Sequence, residues 1–281
     1  MAAARRLVVN GIGLHVEDTG GAGPPVVFSH GLLLSTRLWD AQVEALRSSF
    51  RCISYDHRGQ GESDSGPERS IGMDTCAADA AALIEALGVA PCHFVGLSMG
   101  GFVGMRLAAR RPELLSSLAL LETSADPESP AKVARYRLMT LAARWLGPWS
   151  VAGPVARVLF GETFRSDPAR AAELALWRSR LSSARRDIWR AATGAVLERE
   201  GVHGELGRVR APTLVVVGEE DVATPVHRAE RIAAAIPGAR LVRIPRAGHT
   251  SPVEEPDAVT VALREFLEAV EARRRAAGPG A

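Results

Sequence analysis

The chain has 281 residues, 47% of them hydrophobic and 23% charged; this suits one sizeable globular core, with room for an inserted subdomain, and excludes a disordered or staple-dependent chain. The formal charge of +2 comes from scattered arginines rather than blocks, so neither a nucleic-acid nor a membrane partner is implied. Three cysteines (Cys52, Cys76, Cys92) show no C-x-x-C or ligand spacing, no apolar run of signal-peptide length follows the basic start, and no segment approaches a membrane span, which together point to a reducing cytoplasm.

Residues 6–17 pattern as an antiparallel strand pair around the hairpin signal Asn10-Gly11. A strand follows at 25–29, then a helix over 36–49 with Trp39, Val43 and Leu46 on one face. Next come a strand at 52–55 and a helix over 75–87 closed by Gly88. The strand at 92–95 runs through a glycine-flanked turn into a helix ending near Arg111, and 118–121 is another short strand. This alternation implies an α/β fold with a mostly parallel central sheet flanked by helices. It stops near Ser124. From Ala125 to Gly207 the pattern is helical, punctuated by Gly147-Pro148, Gly153-Pro154, Gly161 and Asp167-Pro168. Alternation resumes with a strand at 213–217, a helix over 228–235, a strand at 240–244 and a last helix over 257–272, followed by a fraying tail. The expected division is a core of 1–124 and 208–281 interrupted by a helical cap of 125–207.

The turn Gly96-Leu97-Ser98-Met99-Gly100-Gly101 places Ser98 between a strand and a helix. Gly96 and Gly100 let the two pass closely where a Cβ would clash, and the serine hydroxyl is forced outward. The same turn aims the Met99 N–H and the positive end of the helix dipole at one point. A solvated serine on a glycine-rich turn is the plain alternative. A serine nucleophile needs a base, and the base a carboxylate, both on loops after later strands. Gly218-Glu219-Glu220-Asp221 follows the strand at 213–217, with Asp221 as the best acid. Helix capping by Asp221 or Thr224 is its alternative, and Glu219, Glu220 and Glu122 are rival carboxylates. Gly248-His249 follows the strand at 240–244 and supplies the base; His15, His57, His93, His203 and His227 have no comparable setting. After the first parallel strand, Ser29-His30-Gly31-Leu32 offers a second oxyanion donor, the Leu32 N–H, with His30 as a packed support. The cluster from Tyr55 to Asp64 reads as structural, Asp56 and Arg58 holding the loop beside the oxyanion turn; no metal ligand spacing recurs.

The ordered set Ser29-His30-Gly31-Leu32, Asp56-His57-Arg58-Gly59-Gln60-Gly61-Glu62-Ser63, Gly96-Leu97-Ser98-Met99-Gly100-Gly101, Gly218-Glu219-Glu220-Asp221 and Gly248-His249 resembles the α/β-hydrolase family over nearly the whole chain except the cap. With Leu33, Trp39-Asp40 and Phe94-Val95, it is most similar to the branch of 3-oxoadipate enol-lactonases and non-haem haloperoxidase-like esterases. Epoxide hydrolases and haloalkane dehalogenases of this fold carry Asp where this chain has Ser98, which argues against both activities.

The cap carries 13 Lys/Arg against nine Asp/Glu. A mildly basic cap would suit an anionic lactone, but a solvated helix surface is the favoured account, because helical spacing alone leaves most of these arginines outside. Leu33, Tyr136, Met139, Trp145 and Trp189 are expected to line an apolar pocket, with Leu138, Leu146 and Phe160 nearby. The expectation is a cofactor-independent, metal-free serine hydrolase that takes a small ester or lactone as its partner, with the oligomeric state open. Perhydrolase or haloperoxidase-like activity, C–C bond hydrolysis and a slow-turnover ligand receptor remain as alternatives on the same residues.

Overall fold

The computed structural model describes residues 3–66, 71–183 and 186–277, with the main chain alone for 186–190. A hairpin opens the fold: β1 (Ala3–Val9) pairs antiparallel with β2 (Ile12–Asp18) through a turn in which Asn10 and Gly11 both take positive φ. That is the geometry a tight hairpin needs. Then follow β3 (Pro25–Ser29), a 3₁₀ turn (Thr36–Trp39), α1 (Asp40–Leu46), β4 (Arg51–Tyr55), α2 (Met73–Ala86), β5 (Cys92–Leu97), α3 (Met99–Arg110) and β6 (Leu115–Leu121). After the helical stretch come β7 (Thr213–Gly218), α9 (Val226–Ala235), β8 (Arg240–Ile244), α10 (Ser251–Glu254) and α11 (Pro256–Ala277). The single helix expected over 36–49 is split, because Asp56 accepts the Thr36 N–H at 2.7 Å and tightens the first turn. The last helix runs on to Ala277, past the expected fraying point; residues 278–281 lie outside the described residues.

The eight strands form one sheet in the order β1-β2-β4-β3-β5-β6-β7-β8, antiparallel only at β1–β2 and β2–β4. The central strands are apolar along their whole length because helices cover both faces. Against one face α2, α3 and α9 pack around Leu83, Phe102, Leu107 and Ile232; against the other, α1 and α11 pack around Trp39, Leu46, Leu263 and Leu267. All three cysteines are free thiols in this interior, their pKa pushed up to about 12 by burial.

Between β6 and β7 lie α4 (Pro130–Leu146), α5 (Trp149–Leu159), α6 (Glu162–Ser166), α7 (Ala171–Ser183) and α8 (Arg186–Leu197). Ser129 caps α4 by accepting the Lys132 N–H, and Gly147 ends it at positive φ. Val151, Val155, Leu159, Phe160, Phe164, Trp177 and Leu181 are buried and continuous with the α1–α11 side of the core. The helices therefore sit on the carboxyl ends of the strands, where ligands bind in open parallel sheets.

Candidate active site

Ser98 occupies the turn between β5 and α3 with φ 52° and ψ −107°, a backbone state that costs on the order of 1–3 kcal/mol for a residue with a Cβ. The surroundings enforce it. The Ser98 N–H donates to Leu121 O at 2.8 Å, and its carbonyl accepts from Phe102 N at 3.0 Å and Thr123 Oγ1 at 2.8 Å. A Cβ on Gly100 would strike the Ser29 carbonyl, and one on Gly96 the Gly100 carbonyl, so strand and helix can close only over glycine. The hydroxyl consequently faces a cavity beneath the inserted helices.

His249 reaches the same cavity from the loop after β8. Its Nδ1 lies 2.8 Å from Asp221 Oδ2. Asp221, on the loop after β7, also accepts the Ala223 N–H (2.7 Å), the Thr224 N–H (3.0 Å) and the Thr224 hydroxyl (2.8 Å). Burial pushes its carboxyl up, but His249 and these donors outweigh burial and hold it below the usual value. It is thus an anion pointed at an imidazole, and it fixes Nδ1 as the protonated nitrogen.

The rival acids are spoken for. Glu122 is fully buried at the end of β6; its Oε1 accepts the Gly218 N–H at 3.1 Å, and burial, with Asp221 and Glu254 nearby, raises its pKa well above the usual range. It does not bond His249. Glu220 accepts the Thr163 N–H at 2.8 Å and also bonds the Thr163 hydroxyl, clamping α6 to the core. Glu219 donates its backbone N–H to Ile244 O and is exposed, with no bond to His249 among the described residues.

The loop after β3 is built as a support. His30 Nδ1 donates to Gly31 O (2.7 Å), and its Nε2 accepts the His57 N–H (3.0 Å). Burial lowers its pKa, so it stays neutral and acts as a strut. Asp56 accepts from Thr36 N and Glu62 N, as a loop-holding residue should. Arg58 also holds the loop, through a buried pair with Asp79 of α2 (2.6 Å from Nη2). Two residues escaped the sequence reading. Gln60 accepts the Leu33 N–H at 2.7 Å through Oε1 and lies 3.4 Å from Met99 Sδ through Nε2, spanning both turns beside Ser98. Glu254 accepts from Gly161 N (2.7 Å), Gly248 N (2.9 Å) and Thr250 N (3.0 Å), setting the His249 loop and fastening it to the inserted helices. Gln60 sits in a loop whose glycines carry the stronger sequence signal; Glu254 has no local signal beyond opening a helix.

The cavity encloses about 110 Å³ and is lined largely by carbon. Leu32, Leu33, Tyr136 and Met139 line it, with Phe102, Val155 and Leu159. Trp145 does not: it is 70% exposed on the outer side of α4, as are Leu138 and Leu146. Helical phase explains this correction, since Tyr136, Met139 and Thr140 already take the inner face of α4. The Trp189 side chain lies outside the described residues. Met99 is fully buried and is not among the residues that line the cavity. Thr193 of α8 lines the wall, and its buried hydroxyl has no hydrogen-bond partner among the described residues. Among the described residues no lysine or arginine lines the cavity; Arg199, behind it, lies over the Phe102 ring, donates to the Val196 and Asp126 carbonyls, and pairs with Glu128 at 3.5 Å.

Ser98 after β5 and His249 after β8 thus line one cavity, and Asp221 after β7 bonds the imidazole. The chain belongs to the alpha/beta hydrolase fold family, whose model matches residues 24–256. Among solved structures it is similar to an enol-lactonase from Burkholderia xenovorans LB400 (30% identity, TM-score 0.87, covering 94% of this chain and all of that one). It is also similar to a thermophilic esterase from Thermogutta terrifontis (36% identity, TM-score 0.86, covering 96% and 99%). A Mycobacterium tuberculosis relative, provisionally named a non-heme bromoperoxidase (BpoC), is 31% identical over 272 residues, covering 91% of this chain and 98% of its own.

Proposed function

We propose that the protein is a cofactor-independent serine hydrolase that cleaves a small, uncharged carboxylic ester or lactone. The observation that carries this reading is the 2.8 Å bond from His249 Nδ1 to Asp221, with Ser98 and the same imidazole facing one cavity. His249 Nε2 takes the Ser98 proton as Oγ attacks the carbonyl carbon. The Leu32 and Met99 N–H groups receive the charge on the tetrahedral oxygen; each such donor is typically worth about 100- to 1000-fold in rate. His249 then gives its proton to the leaving alkoxide. Water enters, loses a proton to His249, and releases the acid from the acyl-enzyme. Asp221 stabilises the imidazolium at both steps.

The cavity supports the substrate class. Its 110 Å³ is somewhat less than the roughly 150 Å³ that holds benzene, so a short acyl chain or one small ring fits. With Arg199 already committed to Glu128, an anionic substrate has no cation to meet among the described lining residues. The enol-lactonase and esterase relatives favour the same bond class. The bromoperoxidase name of the mycobacterial relative favours a second reading, in which hydrogen peroxide replaces water at the acyl-enzyme. Steady-state assays on short p-nitrophenyl esters and γ- and δ-lactones test the proposal. Turnover by the wild type and its loss in Ser98→Ala are expected; no turnover across the panel, or full activity in Ser98→Ala, overturns it. Peracid formation from peroxide and acetate would establish the second reading.

A further inference from the structure

The face of α4 opposite the cavity is apolar as well. Ala131, Ala134, Leu138, Leu141 and Trp145 recur at helical spacing along its outer side, all exposed, and Leu146 and Trp149 extend the stripe around the corner into α5. Leu138 is 69% exposed, Trp145 70% and Trp149 69%; the stripe holds most of the large apolar side chains that the described surface exposes. A helix that is apolar on both sides is ordinarily covered on both, and a continuous apolar patch on a surface ordinarily marks a contact.

The charge around the stripe says what covers it. Residues 130–161 contain Lys132, Arg135, Arg137, Arg144 and Arg157 and no Asp or Glu. Arg135 flanks the stripe on one side, Arg137 and Arg144 on the other, and all three are exposed. Arg137 pairs with Glu198, just past the end of α8, but among the described residues Arg135 and Arg144 pair with no carboxylate. Arg144 lies over the Trp145 ring, 5.4 Å from its centre, so cation and indole stand at the same level. A second copy of the chain docked about a twofold axis would bring these arginines against one another. An anionic lipid surface takes both features at once: indole and leucine in the acyl boundary, guanidinium at the headgroups. Among the described residues no helix is long and apolar enough to cross a membrane, so the contact is peripheral.

We infer that the outer face of α4, from Ala131 to Trp149, docks the protein reversibly on an anionic lipid surface. The inner face of the same helix lines the candidate active-site cavity, so docking places that cavity directly above the lipid.

Co-sedimentation with vesicles tests this. The full chain should sediment with vesicles of equal parts phosphatidylglycerol and phosphatidylcholine at low salt, less at high salt, and little with phosphatidylcholine alone. Trp emission should shift to the blue on the mixed vesicles. Combined Leu138→Ser, Leu141→Ser and Trp145→Ser should abolish sedimentation while leaving the thermal melt of the free protein in place, because these side chains touch solvent. Combined Arg135→Gln and Arg144→Gln should weaken partitioning about thirtyfold, roughly fivefold for each cation removed. Equal sedimentation with both vesicle types, or none with either, overturns the inference. So does sedimentation equilibrium showing a dimer that the triple variant converts to a monomer, since the stripe would then be covered by a second copy.

Discussion

Gly248 and Gly161 meet backbone to backbone. A Cβ on Gly248 would stand 2.8 Å from the Gly161 Cα, and one on Gly161 would stand 2.9 Å from the Gly248 nitrogen. Glu254 locks the pair by accepting both N–H groups. Gly248 precedes His249, and Gly161 caps the start of α6, so the inserted helices are fastened to the loop that carries the imidazole. In a close-packed interior this contact has no slack. Gly248→Ala should push the ring away from Ser98, and a displacement of about 1 Å costs on the order of 100-fold in rate. Ester hydrolysis and a thermal melt measure it. Gly194 of α8 is the control: an added Cβ there meets nothing within 4 Å, and Gly194→Ala should stabilise by about 0.5–1 kcal/mol with the rate intact. Wild-type turnover in Gly248→Ala would break the link between cap seam and base.

Asp221 and Glu122 are two buried carboxylates with opposite fates. Asp221→Asn loses the anion that orients His249 and should lower kcat about 10,000-fold, whereas Glu122→Gln should leave kcat close to wild type. Stability separates them too. The Asp221 pKa is lowered in the fold, so its contribution is present above the ordinary value of 3.8 and is lost as pH falls through the folded value. The Glu122 pKa is raised, so the fold binds a proton that the unfolded chain gives up above 4.5, and stability falls as pH rises from there toward the folded value. Glu122→Gln removes that loss. Its Tm should match wild type near pH 4 and exceed it increasingly as pH rises toward the folded pKa of Glu122. A constant Tm difference across that range would mean that Glu122 is ionised in the fold.

The contrast between these acids shows where the sequence is legible. The strand-to-helix turn at Ser98 and the loops at Asp221 and His249 are local patterns, each read from a few neighbours; the structure brings Ser98 and His249 to one cavity and bonds Asp221 to the imidazole. The strands at 25–29 and 240–244 have the bounds their apolar runs predict. Trp145 was misplaced for a physical reason. With Tyr136 and Met139 on one side of α4 and Leu138 and Trp145 on the other, periodicity gives two apolar faces and cannot say which is inward. Glu254 and Gln60 were missed because their work is long-range: Glu254 holds Gly161, 93 residues away, and Gln60 contacts Met99, 39 away.

Gln60 is expected to act through the loop rather than on substrate. With its carbonyl on the Leu33 N–H and its amide against the Met99 thioether, it sets the spacing of the two turns that would hold the oxyanion. Gln60→Ala frees both turns. Blurring donors that are worth about 100- to 1000-fold each should lower kcat by roughly ten- to a hundredfold, with KM nearly unchanged, because ground-state binding rests on the apolar wall. Gln60→Glu keeps the acceptor but not the amide donor, and should recover part of the loss. An effect confined to KM would place Gln60 on the substrate instead.

Thr193 lines the cavity, and its buried hydroxyl has no hydrogen-bond partner among the described residues. Leaving such a group buried and unpaired costs about 1–3 kcal/mol, so Thr193→Val, which keeps the shape, should raise thermal stability. A substrate with a carbonyl, hydroxyl or amide a few bonds from the scissile ester can satisfy the hydroxyl and recover that cost on binding. Such a substrate should lose about 1 kcal/mol of binding in Thr193→Val, a roughly fivefold rise in KM, while a plain alkyl ester of equal length should bind as well or better. Paired KM measurements on an alkanoyl ester and its oxo- or hydroxy-substituted analogue decide it. Equal shifts for both members would show that Thr193 serves packing alone, and the selectivity of the cavity would then rest on its volume.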